Sequence, residues 1–359
     1  MDLYSTYFLN GVVVPQLRTM PKLFLSLFPM VVQSTAEEVL VDYEKTTRPR
    51  ITPFVHPMAK GKVIEGVGYS TKTLKPAYMK DLRAHYPHKA LKRRAGEPLG
   101  GTLTVEQRML ANLVADQQDQ MNMFNNRLEV MAAEAVIHGR ATISGEGFGY
   151  GADAVLVDFG RSGDTKVALS GTSKWNDANI TIDQIFGQME DWVEAYRDKH
   201  GVVPDFFLFD PEAWKLLRAK LTDDAGKKYL DKTMKGYERI SVDLTPSTAG
   251  EMGLQAKGSF GDIPIFTSQS EYQDPDTAVM KKVMPDNTVL LINRGHLEGV
   301  RHFGAIQSID ENDNMVLNAM EYFSSSWVER NPAQRLIQLE SAPLLVPYRP
   351  NAVFTYTVA

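Results

Sequence analysis

The residue types that could do chemistry are present, but their spacing is wrong for it. GEGFGYG sets Gly145, Gly147, Gly149 and Gly151 at alternating positions after a helical pattern, whereas a phosphate-cradling loop follows a strand and opens a helix. HYPHK at 85–89 brings no carboxylate to its histidines at ligand spacing, and surface exposure accounts for it better than a metal. Ser326 and Ser341 lack the context of a nucleophile elbow. Asp210 in DPEAW stands directly before Pro211, where a helix start explains both residues. Asp223 and Asp224 lie in polar sequence, where solvation accounts for them without acid–base work. Cysteine is absent, which excludes disulfides, thiolate catalysis and cysteine zinc sites and suits a reducing compartment. The expectation is no catalytic residue, no cofactor and no metal.

Charge is distributed far less evenly. Between Lys45 and Arg94 stand thirteen Lys or Arg and two acids, Glu65 and Asp81, so this stretch carries +11. The remaining 26 basic and 42 acidic residues carry −16, and the net charge of −5 conceals the separation. A segment built this way sits on something negative: nucleic acid, a membrane, or the acidic surface of another copy of the chain. Pro49, Pro53, Pro57, Pro76 and Pro87 keep it from forming helix or central strand. KGKVIEGVGYSTKTLKP partly alternates charged or small residues with Val63, Val67, Tyr69 and Leu74, as a poorly buried strand does. An arm of up to about 25 residues at roughly 3.3 Å each reaches several tens of ångströms. A projecting arm that becomes stable on docking is therefore expected over 45–101, with an ordinary solvated loop as the rival.

The elements that must carry this arm are also legible. A helical pattern runs from Thr104 to His138, with Thr104 and Gln107 as a capping box and Gly139 as a stop. Its apolar seam, Leu110, Leu113, Met121, Phe124, Leu128, Met131 and Ala135, is interrupted by ADQQDQMNMFNNR, too polar a centre to favour the rival coiled coil. A second helix is expected from Ile182 to Lys199, a buried strand at FFLF (206–209), a helix from Pro211, and strands at 263–267 and 288–292. Ala219 to Lys257 reads as a loop or insertion. GYGADAVLVDFG before this α/β piece, and AIQSIDENDNMVLNAMEYFSSSWVE, RLIQLESAPLLVPY and NAVFTYTVA after it as strands of an elongated sheet, place one domain inside another. The N-terminus MDLYST lacks the positive start of a signal peptide, and Pro29 splits LFLSLFPMVV, so neither export nor membrane spanning is expected.

The order and wording of these passages resemble the lambda-type major capsid proteins of tailed bacteriophages, which share the Hong Kong 97-type shell fold. The resemblance rests on LFLSLFP, TISGEGF with VDFGRS, FDPEAW, FGDIPIF, MPDNTVLL and NPAQRLIQLESAPLL, in that order along nearly the whole chain. It implies an α+β fold with an N-terminal arm (1–44), an extended β-hairpin loop (45–101), a peripheral domain (102–179 and 298–359) with spine helix 104–138 and an elongated sheet, and an inserted α/β axial domain (180–297). In such shells the loop of one subunit lies over its neighbour. The charge separation supplies a physical reason for this contact. Docking candidates are Lys60, Lys62, Lys72, Lys75, Lys80, Arg83, Lys92, Arg93 and Arg94.

What the resemblance implies is assembly: pentamers and hexamers closing into an icosahedral head shell around double-stranded DNA held without sequence-specific contact. It further implies a virion protein made in the host cytoplasm, a portal, and a separate scaffolding protein, since Met1 leads straight into arm-like sequence. A decoration protein is the expected source of reinforcement, because no Lys–Asn crosslinking constellation can be matched. Three rivals stand beside this reading. They are a nanocompartment shell of the same fold, a nucleic-acid-binding protein using the basic arm on phosphates, and an enzyme with a polar pocket in the α/β domain.

Overall fold

The computed structural model describes residues 4–17, 22–36, 38–44, 51–61, 69–86, 103–145, 154–222, 253–275, 277–309 and 315–359. Its longest element is helix α1, Val105–His138, about 50 Å from end to end at 1.5 Å per residue. Thr104 Oγ1 accepts the Gln107 amide at 3.2 Å, and Gln107 Oε1 accepts the Thr104 amide at 2.9 Å. Both halves of the capping box therefore close. The seam is filled by the chain itself. Leu113 and Met121 pack with Tyr4, Leu9, Val13, Leu17 and Ile337, while Leu128, Met131 and Ala135 pack with Leu23, Phe24, Leu27, Phe28 and Leu344 to Val346.

A six-stranded mixed sheet forms the centre. From edge to edge its strands are Lys166–Ala168, Val353–Thr357, Thr288–Ile292, Phe206–Phe209, Ile263–Ser268 and Leu254–Phe260. Successive side chains of a strand point to opposite faces. Accordingly Phe206, Leu208, Leu290 and Ile292 enter one core with α1, and Phe207, Phe209, Val289 and Leu291 enter a second core. Burial on both faces is why FFLF and VLLI read as unbroken apolar runs rather than as alternation. The second core holds helices α2 (Ile182–His200) and α3 (Pro211–Thr222). Trp192 stacks on Tyr356 with centroids 4.0 Å apart and on Trp175 at 5.8 Å. Asp210 Oδ2 accepts the amides of Glu212 at 2.9 Å and Asn287 at 3.1 Å, so it joins the start of α3 to the strand that follows Asn287.

Two smaller sheets lie along α1. One orders Met30–Gln33, Gly299–Phe303 and Pro343–Pro347; the other orders Phe323–Arg330, Ala333–Ser341 and Met79–His85. One expected grouping differs from the structure. NAVFTYTVA was expected with the elongated peripheral sheet, but Val353–Thr357 lies inside the six-stranded sheet, antiparallel to Thr288–Ile292 and parallel to Lys166–Ala168. The reason is its side chains: Phe354, Tyr356 and Val358 complete the second core. Of the expected loop at 219–257, Ala219 to Thr222 end α3 and Leu254 to Lys257 begin a strand. Residues 223–252, with Asp223 and Asp224, lie outside the described residues.

The end of α1 is pinned to the turn Gly163–Thr165 and to the strand Val353–Thr357 by Arg161, a buried guanidinium. It donates to Val136 O at 2.7 Å and Ile137 O at 2.8 Å at the end of α1, to Thr165 O at 2.9 Å, and to Val353 O at 2.6 Å. Burial lowers its pKa to about 9, still charged at neutral pH. Gly139 ends α1 with φ of 67°, and a Cβ there would lie 2.4 Å from Arg161 Cβ. The glycine is therefore needed both for its left-handed backbone and for the close passage of the arginine. Gly139→Ala is expected to lower the unfolding free energy by about 2–4 kcal/mol, measured as a shift in the urea midpoint.

Candidate subunit-interface surface

The basic stretch divides between two structures. Val39–Glu44 runs antiparallel to Tyr69–Leu74, with Val39 opposite Leu74 and Glu44 opposite Tyr69. The outgoing strand of the extended hairpin thus begins before residue 45, the boundary expected for the loop. Between the strands, residues 51–61 carry no regular secondary structure and are exposed throughout. Ile51, Phe54 and Met58 are 91%, 105% and 91% exposed. The returning part, Met79–His85, leaves the hairpin and pairs antiparallel with Ala333–Ser341 on the flank of α1.

That second strand explains the polar centre of α1. Arg83 donates to Asp81 at 3.1 Å and to Asp119 at 2.7 Å, with Asp116 at 3.9 Å. Burial alone would lower the Arg83 pKa, but Asp119 and Asp81 more than offset it and raise the group. His85 Nε2 lies 3.1 Å from Asp116. Gln120 Nε2 donates to Asp81 O at 3.0 Å, and Gln117 Nε2 donates to Ser324 Oγ at 2.7 Å. The acids and amides of ADQQDQ are thus the receiving surface for a basic strand of the same chain. Attraction expected between copies is partly satisfied within one subunit.

The candidate cations therefore fall into groups. Lys60 and Lys75 are exposed. Lys72 Nζ donates to Asp158 O at 3.1 Å, Lys80 lies 3.5 Å from Glu340, and Arg83 is held as described. Lys62, Lys92, Arg93 and Arg94 lie outside the described residues, as do His88 and Gly147, Gly149 and Gly151. His85 is a strand residue facing α1. Among the described residues no group of three or more His, Asp or Glu is arranged to hold a metal, and no helix is long and apolar enough to cross a membrane.

Sequence reasoning missed the residue that anchors the N-terminal segment. Glu129, buried in α1, accepts the Phe24 amide at 3.0 Å and the Leu25 amide at 2.8 Å. Its carboxylate satisfies amide donors at the start of the short helical turn Leu25–Leu27. Burial pushes its pKa up, while those amides and Lys22 pull it down. Gly299 lies beneath the same turn, where a Cβ would be 2.4 Å from Leu27 O. The available signal was an acid, one of two with Glu134, set among the apolar residues of RLEVMAAEAV. Farther out, Asn10 Oδ1 accepts the Ser324 amide at 2.7 Å and Asn10 Nδ2 donates to Ser324 O at 2.8 Å, so the segment is tied to the outer sheet as well.

A strut helix, an exposed apolar hairpin tip and a segregated charge define a structural protein built to contact copies of itself. The description "Phage major capsid protein E" belongs to the family model that matches residues 12–358, and the chain belongs to that family. It is 28% identical over 307 residues to the major capsid protein of Escherichia phage lambda, covering 85% of each chain. It is 26% identical over 349 residues to the major capsid protein of Enterobacteria phage P21, covering 96% of each. The crystal structure of the putative capsid protein of a prophage of E. coli CFT073 superposes with a TM-score of 0.73 at 21% identity over 100% of both chains. The capsid subunit of Cyanophage A-1(L) gives 0.52 at 13%, over 100% of this chain and 99% of that one. The α+β architecture is the Hong Kong 97-type shell fold, and the protein is a component of a phage head shell.

Glu129→Gln keeps the shape but sets a side-chain NH2 donor against one of the two backbone amides, which loses its acceptor. It is expected to cost about 1–3 kcal/mol. Limited proteolysis of the folded subunit should then cut near Phe24 and Leu25 sooner than in the parent, with α1 still intact.

Proposed function

We propose that many copies close into an icosahedral shell of pentamers and hexamers that packages double-stranded DNA, the role of the chain being assembly and not catalysis. The exposed apolar tip of the extended hairpin carries this reading. Ile51, Phe54 and Met58 stand in water in the isolated subunit, a state that costs about 2 kcal/mol per side chain relative to burial. Burying the three on a neighbouring copy outweighs the contribution of surface cations, each worth under about 1 kcal/mol. Charge then acts mainly on encounter and register. Lys60, Lys62, Lys75, Lys92, Arg93 and Arg94 are docking cations by virtue of the charge of this stretch, and Lys72, Lys80 and Arg83 also serve the subunit's own fold.

In this reading the segment before Val39 is an arm, the extended loop starts at Val39 rather than at the expected residue 45, α1 is the spine of a peripheral domain, and 180–297 form an axial domain that meets its copies around the five-fold and six-fold axes. The acidic remainder of the chain keeps the wall from gripping DNA. Separate scaffolding, portal and decoration proteins complete the particle, which forms in the host cytoplasm. The basic stretch gives a nucleic-acid-binding protein as the second reading.

Two experiments test the proposal. The chain, expressed alone and with a scaffolding partner, is expected to yield closed shells or rings of five and six by negative-stain electron microscopy. A monomer under every condition that binds DNA with steep salt dependence would overturn it. Phe54→Ser with Met58→Ser is expected to abolish assembly while leaving the circular dichroism spectrum and melting temperature of the subunit unchanged. Protease sites between Lys45 and Arg94 should be cut in the free subunit and protected in the particle.

A further inference from the structure

Next to the 161–165 segment, where the Ser162 amide donates to Asn351 Oδ1 at 2.7 Å, four side chains and one carbonyl form a line of hydrogen bonds. His200, the last residue of α2, places Nε2 2.9 Å from Asn351 O. Its Nδ1 is 3.1 Å from His296 Nε2. His296 Nδ1 is 3.3 Å from an Arg349 nitrogen, and the guanidinium also meets Glu298 at 3.2 Å. A guanidinium only donates, so His296 Nδ1 must accept. Its proton is then on Nε2 and is donated to His200 Nδ1, which leaves the His200 proton on Nε2 for Asn351 O. One arrangement of protons satisfies every member, and in it both imidazoles are neutral.

The line crosses a joint. His200 ends a helix of the second core. His296 lies in the turn Arg294–Leu297 that leads into Gly299–Phe303 of the three-stranded sheet. Arg349 and Asn351 lie between Pro343–Pro347 of that sheet and Val353–Thr357 of the six-stranded one. Tyr196 OH donates to Ala352 O at 2.8 Å beside it. A third proton has no place here. On His200 it would put two N–H groups face to face, and on His296 it would put an N–H against the Arg349 guanidinium.

We propose that the His200–His296 pair is an acid-released lock on the joint between the six-stranded and three-stranded sheets, closed while both imidazoles are neutral and opened when either takes up a proton. The surrounding charges favour this behaviour. Lys199 and Arg349 face the pair, Glu298 is shared with Arg349, Lys199 is engaged by Asp164, and Arg294 lies 3.8 Å from Asp205. Tyr196, whose ring lies tilted against His200 with centroids 4.8 Å apart, stays neutral because burial, then Asp205, raise its pKa. Burial, then the neighbouring His296, push the pKa of His200 down to about 4, and burial with Arg349 lowers that of His296. Between pH 6.5 and about 4 the unfolded or opened chain binds protons that the closed joint refuses. Stability is therefore full above pH 6.5 and is lost as the pH falls through that window.

The test is hydrogen exchange on the full chain, read as protection factors for residues 348–357 at pH 7 and pH 5. Protection in the parent is expected to fall by at least about tenfold and to return at pH 7, each unit below the ordinary histidine pKa counting tenfold. In His200→Gln with His296→Gln, which keeps amide donors and acceptors but cannot titrate, the change should be under about twofold, and α1 should be unaffected in both proteins. Equal loss in parent and variant, or none in the parent, would overturn the proposal. Should the variant fail to fold by circular dichroism, imidazole nitrogen NMR of the parent decides. Both rings neutral with the proton on Nε2 down to pH 6 supports the lock, and titration at the ordinary histidine value overturns it.

Discussion

Much of this subunit depends on how one buried positive charge is compensated without a carboxylate. An isolated guanidinium would be driven out of the interior by desolvation. Arg161 stays because it donates to four backbone carbonyls and to the hydroxyls of Thr165 and Thr355. Two of the carbonyls, on Val136 and Ile137, belong to the last turn of α1, where the helix dipole is negative and carbonyls have no helical partner. Lys166 Nζ takes the next one, His138 O, at 2.5 Å. The end of a 34-residue helix is thereby fastened to the turn at 163–165 and to the final strand of the chain. Without that fastening the strut would meet the α/β layer mainly through apolar packing, which is not directional, and the bond from Thr355 Oγ1 to Ile137 O.

The same device recurs wherever separate parts of the chain meet. Glu129 holds the N-terminal segment by two backbone amides, Gln120 and Gln117 hold the outer sheet, and Asn10 joins the first segment to Ser324. Each contact is polar, buried or half-buried, and long-range in sequence. Apolar surface supplies the attraction and these bonds fix the registration, because a shifted element would leave buried donors and acceptors unpaired. A shell subunit has particular need of this. Small errors in the angle between its parts are repeated in every copy, and a closed surface tolerates few of them.

What was legible in the sequence follows from how local each signal is. The capping box of Thr104 and Gln107, the stop at Gly139, and the run Phe206–Phe209 before Asp210 and Pro211 are short-range patterns, and each appears where its residues stand. The partners of the basic stretch were not legible. Alternation in Met79–His85 is masked because its inward-facing residues include Asp81, Arg83 and His85. A charged inward face reads as solvent-exposed until the acids of α1, more than 30 positions away, are placed opposite it. The final strand was likewise grouped with the wrong sheet, since nothing local in NAVFTYTVA says which neighbours it will find.

These observations also limit what charge can do in assembly. A +11 stretch looks like a single adhesive, yet Arg83 and Lys80 are engaged within the subunit and Lys72 reaches a carbonyl of its own chain. Cations satisfied at home add little on docking, because moving them to a new partner exchanges one ion pair for another. The apolar part is the tip, where Ile51, Phe54 and Met58 are 91%, 105% and 91% exposed. In the proposed assembly the free energy of association then resides mainly in these apolar side chains, and the neighbouring charges govern the direction of approach, because burial is not directional while charge acts at a distance.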